Sequence, residues 1–191
     1  MSRRAVLPFV IQIYIVTNPN KGYHVTTTRG IARLAGSSPV GRHTYRSTKT
    51  DYLCEISLIT LRCVVDIMVK GLDAGTVSGI RMSGLVEGSV TYHAKDHVVT
   101  RAVNADFRTR DEPRATVIRW LRRRAKRMVV AEISYGADSV VFVVSNVAGA
   151  SIAVLCLMDA SSWYTARGRM FPTVLAEVYS TLVLQMLGVQ E

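Results

Sequence analysis

Residues 113–158 read PRATVIRWLRRRAKRMVVAEISYGADSVVFVVSNVAGASIAVLCLM, and the fold turns on how this stretch is divided. Asp111, Glu112 and Pro113 suit a first helical turn, where acids meet the positive end of the helix dipole and proline loses no hydrogen bond. From there Val117, Ile118, Leu121, Ala125 and Met128 recur as one apolar stripe, with Arg119, Arg122, Arg123, Lys126 and Arg127 on the opposite face. The spacing predicts a helix over 113–128. After Met128 the composition changes. VVAEISY (129–135), SVVFVVSN (139–146) and ASIAVLCLM (150–158) are rich in β-branched and apolar residues. Gly136-Ala137-Asp138 and Val147-Ala148-Gly149 separate them as turns. Propensity therefore predicts a three-stranded meander.

The rest of the chain is read outward from there. VLPFVIQIYIV (6–16) predicts a buried strand, Asn18-Pro19-Asn20-Lys21-Gly22 a reversal, and 23–28 a returning strand. Residues 29–49 carry Arg29, Arg33, Arg42, Arg46 and Lys49 with no acid, and read as a solvated loop. Over 50–70, Asp51, Glu55, Arg62, Asp66 and Lys70 cluster on one side of a helical wheel. Arg62–Asp66 and Asp66–Lys70 are opposite charges at i,i+4. A helix is predicted, ending at Gly71. Short strands follow at 77–82, 85–93 and 97–104, with a hairpin at Ala94-Lys95-Asp96. A last helix starts near Pro172 and runs to about Leu187. It is apolar almost all round, so it is covered on more than one side. Hairpin-linked strands and interspersed helices give an α+β class, a mostly antiparallel sheet with flanking helices, in a single domain over 1–191.

Composition narrows the function classes. The 191 residues are 49% hydrophobic, with mean hydropathy +0.20 and a net charge of +10 from 24 Lys+Arg against 14 Asp+Glu. Such a chain can bury a core. Its basicity points to polyanionic partners: nucleic acid, acidic protein or anionic lipid. Pro8 and Gln12 interrupt the apolar run at 5–16, which is too short to span a bilayer. No small-residue cleavage site follows it, so a cytoplasmic location is expected. Cys54, Cys63 and Cys156 form no CxxC and read as buried reduced thiols.

No catalytic constellation emerges. His93 and His97 stand at i,i+4, but on a strand and turn they would lie about 13 Å apart, and they read as surface residues and not as metal ligands. GxxxxGK[ST], GxGxxG before a helix, and GxSxG are all missing from the sequence. Cys156 sits between Leu155 and Leu157 and reads as packed. Asp159, Ser161 and Ser162 read as a turn. No enzyme, metal or cofactor is expected. The best candidate surface is the basic helix. Arg119, Arg122, Arg123, Lys126 and Arg127 can contact a partner or track a polyanion, and Trp120 can stack on a base. A solvated face without a role is the plain alternative.

The two ends of the chain resemble a longin domain, the profilin-like fold of vesicle-trafficking proteins. FVIQIYIVTNPNKGYHV (9–25) is similar to that family's first hairpin. The helix at 113–128, the three predicted strands, Asp159 and FPTVLAEVYSTLVLQML (171–187) are similar to its second half. VLAEVYSTLV (174–183) resembles the closing helix of small synbindin-like core subunits of the TRAPP tethering complex. Residues 29–104 would then be an inserted module. The resemblance implies a non-catalytic subunit of a multiprotein assembly in vesicle tethering, cytoplasmic and peripheral at Golgi or ER membranes. Its partners would be other protein subunits and an anionic membrane surface. Val174, Leu175, Val178, Tyr179, Leu182 and Met186 would form the partner-packing helix. The charge keeps two alternatives open: a basic RNA-binding component of a ribonucleoprotein or mitochondrial ribosome, and a viral coat or assembly protein.

Overall fold

A computed structural model describes residues 49–105, 113–165 and 170–189. The strands read over 6–16 and 23–28, and the loop read over 29–49 except its last residue, Lys49, which is helical, lie outside the described residues. Within them the elements are helices: α1 Lys49–Asp73, α2 Ser78–Lys95, α3 His97–Ala105, α4 Pro113–Asp138, α5 Val147–Met158 and α6 Pro172–Met186, with one 3₁₀ turn at Ala160–Ser162. The α+β, antiparallel, longin-like expectation is therefore corrected: no strand occurs among the described residues.

The helix expected over 50–70 forms and extends to Asp73. Arg62, Asp66 and Lys70 are exposed, while Val64, Val65 and Met68 are buried. The last helix also forms where it was expected, with Pro172 in its first turn. The helix from Pro113 does not stop at Met128. Ile118, Leu121, Val129, Glu132, Ile133 and Gly136 are all buried. Counted from Ile118 they fall 3, 11, 14, 15 and 18 residues on, which at 3.6 residues per turn is one buried stripe running straight through the supposed strand 129–135. β-Branched residues lower helix propensity only by tenths of a kcal/mol each, and packing overrides that.

The other expected strands fail for the same reason. In place of strands at 77–82 and 85–93, Ser78, Met82, Leu85, Val86, Ser89 and Val90 bury one face of α2. In place of a strand at 97–104, α3 buries Val99, Ala102 and Val103. In place of a strand at 150–158, α5 buries Ser151, Val154 and Met158. Asn146, read as a strand end, is the N-cap of α5: its Oδ1 accepts from Gly149 N–H at 2.9 Å. Residues 139–146 are a loop. The Val141 and Phe142 N–H groups both donate to Gly136 O, at 2.9 and 3.0 Å. The Phe142 ring lies directly on Gly136, where an added Cβ would fall 2.1 Å from it.

The chain divides into two compact units, 1–60 with 98–118 and 61–97 with 119–191. In the first, Ile56, Val99, Val103, Ala115 and Ile118 are buried. In the second, α2 is the central helix. It packs chiefly on α6, and also on α5 and the 3₁₀ turn; α5 in turn packs on α6. Met82, Leu85, Val86 and Val90 are fully buried there with Val154, Leu175 and Val183. Each such side chain stabilises the fold by about 1.5–3 kcal/mol. Gly71 does not end α1 but lies with its backbone against α2: a Cβ on Gly84 would lie 2.6 Å from Gly71 O.

Candidate functional site

The α4 sequence places its cations by helical geometry. Arg119, Arg123, Arg124, Lys126 and Arg127 are exposed, and Arg122 is half-buried. Trp120 borders the apolar stripe but does not pack into it, remaining 48% exposed. The Arg124 guanidinium stands 5.5 Å from the centroid of its ring, within cation–π range.

Arg122 points the other way. Burial lowers its pKa from the ordinary arginine value, and the charge of Asp159 opposes that shift. Asp159 also meets His93, with Oδ1 3.5 Å from Nδ1. One carboxylate between α5 and the 3₁₀ turn thus serves a cation on α4 and an imidazole on α2. His93 is largely buried, which corrects the expectation of a surface histidine. It lies on α2, while His97 begins α3, its Nδ1 donating to Ala94 O at 3.0 Å. No group of residues able to hold a metal occurs among the described residues.

Around this cluster, His97 meets Tyr164 edge-on at 5.5 Å, and the Tyr164 hydroxyl donates to Met170 O at 3.1 Å. Trp163 lies 6.0 Å from Tyr179. Beside it, an open groove of about 430 Å³ is lined by Lys126, Ile152, Leu155, Cys156, Asp159 and Ser162. Cys156 is exposed there, contrary to the packed thiol that was expected. On α1, burial first, and then the charges of Asp66 and Asp96, raise the pKa of Cys63.

The expected partner-packing helix divides in two. Val174, Val178, Leu182 and Met186, four residues apart, form an exposed apolar row along α6. Leu175 faces the chain's own core, and Tyr179 is half-buried against Trp163. The sequence reading missed the adjoining surface. On α5, Ala148, Gly149, Ile152 and Cys156 are exposed, and the helix carries no charged residue. The Asn146 cap was the available signal; with it, 147–158 is a helix with an uncharged outer face.

The arrangement of helices has close counterparts among solved structures. A bacterial regulatory protein of the tetR family from Rhodococcus RHA1 is 26% identical, with TM-score 0.86 and full coverage of both chains. The TetR family transcriptional regulator PfmR from Thermus thermophilus is 22% identical, with TM-score 0.84 over 94% of this chain and 98% of its own. The ketosteroid transcriptional regulator KstR2 of Mycobacterium tuberculosis is 19% identical, with TM-score 0.84 over 100% and 96%. No curated protein matches the chain.

These findings overturn the longin resemblance and what it implied. The TRAPP-type tethering subunit is corrected, as are the ribonucleoprotein, mitochondrial-ribosome and viral-coat alternatives. The partners that went with them, namely tethering-complex subunits, an anionic membrane and RNA, are corrected too. The expectation of a protein that is not an enzyme stands, because TetR-family regulators are non-enzymatic transcription factors. No helix among the described residues is long and apolar enough to cross a membrane. The family model for the tetracyclin repressor-like, C-terminal domain matches residues 78–187, more than half of the chain, and the chain belongs to that family.

Proposed function

We propose that this protein is a transcriptional regulator that binds operator DNA as a homodimer and acts in the cytoplasm. The observation that carries the reading is the distribution of charge around the family domain. Eight of the 24 lysines and arginines, and none of the 14 acids, lie before Asp51. That segment precedes the matched domain at 78–187. A cationic segment without acids is what the phosphate backbone demands. Homodimerisation is supported by the exposed rows of α5 and α6. Val174, Val178, Leu182 and Met186 make an exposed apolar row on a helix that contains no lysine or arginine, so two copies of a +10 chain can meet there with little repulsion. A two-fold dimer reads a two-fold symmetric site. The Arg122–Asp159–His93 cluster is where we place the response to a small effector, because it links α4 and the α5–α6 connection to α2.

Selection of genomic DNA fragments on the full-length protein tests the reading. A recurrent, two-fold symmetric sequence is expected, and a variant with Arg29, Arg33, Arg42 and Arg46 all changed to Gln should lose it. Enrichment of no sequence over random DNA would defeat the proposal.

A further inference from the structure

The basic face of α4 is not used by the function proposed above. After residue 50 the chain has 16 Lys+Arg and 14 Asp+Glu, yet residues 113–131 hold seven of those cations and none of the acids. Arg119, Arg123 and Arg127 recur every four residues, about 6 Å apart along the helix. All three are exposed, with Arg124 and Lys126 beside them. A helix face that is merely solvated commonly mixes signs at i,i+4. Like charges at that spacing cost tenths of a kcal/mol per pair, a cost that a polyanion relieves.

We propose that this face is a second DNA-contacting surface, which holds the phosphate backbone without regard to sequence. The choice of DNA rests on the regulator reading. Four of the five exposed cations are arginines, whose planar forks take phosphate oxygens in pairs. Trp120 is half-exposed among them with Arg124 against its ring, and offers a stacking platform for a base. A lipid surface fits less well. A membrane-lying helix sinks its apolar face into the bilayer, whereas Leu121, Val129 and Ile133 of α4 are buried in the protein.

The test uses the full-length protein and random-sequence DNA, duplex and single-stranded, followed by fluorescence anisotropy between about 50 and 200 mM salt. Changing Arg119, Arg123, Lys126 and Arg127 to Gln should weaken binding about tenfold or more at low salt. It should also make the plot of log affinity against log salt shallower by about 3. A charge-keeping variant with Arg119→Lys, Arg123→Lys and Arg127→Lys should keep the parent's salt slope, since a lysine neutralises a phosphate as an arginine does, and should lose less affinity than the Gln variant, since only the paired hydrogen bonds are gone. With Trp163→Phe, Trp120 is the sole tryptophan, and single-stranded DNA should quench its emission. The proposal falls if the Gln variant binds random DNA as the parent does with an unchanged slope. It falls equally if the variant loses affinity only for phosphatidylserine vesicles. If the parent selects no sequence while the Gln variant still loses random-DNA binding, the regulator reading fails and this surface stands.

Discussion

Arg81 on α2 clasps the carboxylate of Glu132 on α4: Nε lies 3.1 and 3.0 Å from its two oxygens, and Nη2 lies 2.9 Å from Oε2. Glu132 is only 3% exposed, so its charge depends on this partner. The same hydrogen bonds raise the pKa of Arg81. Removing one member of a buried pair strands the other charge, whereas replacing both by apolar groups is close to neutral. Arg81→Met should cost about 3 kcal/mol in urea unfolding, and Arg81→Met with Glu132→Leu should recover most of it. A double variant as unstable as the single one would refute this account.

The crossing of α1 and α2 leaves no room for a methyl group. Gly84→Ala sets a Cβ 2.6 Å from Gly71 O, a backbone atom, and should destabilise by about 1–3 kcal/mol. Gly79, on the same helix, has nothing within 4 Å of its Cβ position. Gly79→Ala should instead stabilise by about 0.5–1 kcal/mol. Thermal melts of the two variants should move in opposite directions.

Val140, in the α4–α5 loop, has φ +58 and is 83% exposed. A β-branched residue in the left-handed region is strained by about 1–2 kcal/mol, and little burial offsets that here. Val140→Gly or Val140→Asn should raise the melting temperature. A fall would mean that the loop needs the valine for a contact in the assembled protein.

Self-association through α6 predicts that charge on its exposed row separates the copies. Val178→Glu with Leu182→Glu should shift the mass seen by light scattering from dimer to monomer. The secondary structure should be unchanged, because both residues are exposed in the single chain. A parent that is already monomeric at micromolar concentration would rule out this interface.

Burial raises the pKa of Asp96, with His97 and Lys95 opposing. A carboxyl group whose folded pKa exceeds its unfolded value favours the native state when protonated. Its contribution is full below the unfolded pKa and is lost as pH rises through the folded one. Asp96→Asn cannot ionise, so the variant should gain stability relative to the parent above that window and none below it. Unfolding midpoints measured from about pH 3 to 7 should diverge in that direction; parallel curves would exclude it.

The exposure of Arg119, Arg123, Lys126 and Arg127 was legible because cations at helical spacing share a face whatever the tertiary fold, but Arg122, read with them, is half-buried. The polar cluster was not legible. His93 and Asp159 are 66 positions apart in the numbering, and only the packing of the α5–α6 connection on α2 brings them within 3.5 Å. The apolar row of α6 could be recognised as apolar. Which of its members face outward depended on where the chain's own core lies, so Leu175 and Val174 were indistinguishable until α2 was in place.

By itself the sequence determined the helices whose signals are local. These are α1, with its i,i+4 charge pairs, the start of α4 at Pro113, and α6 from Pro172. Only the tertiary structure decided that 129–135 continues α4 and that 78–95 and 147–158 are helices. Their valines and isoleucines favour strands by tenths of a kcal/mol apiece, while burying one helical face of each against its neighbours is worth several kcal/mol.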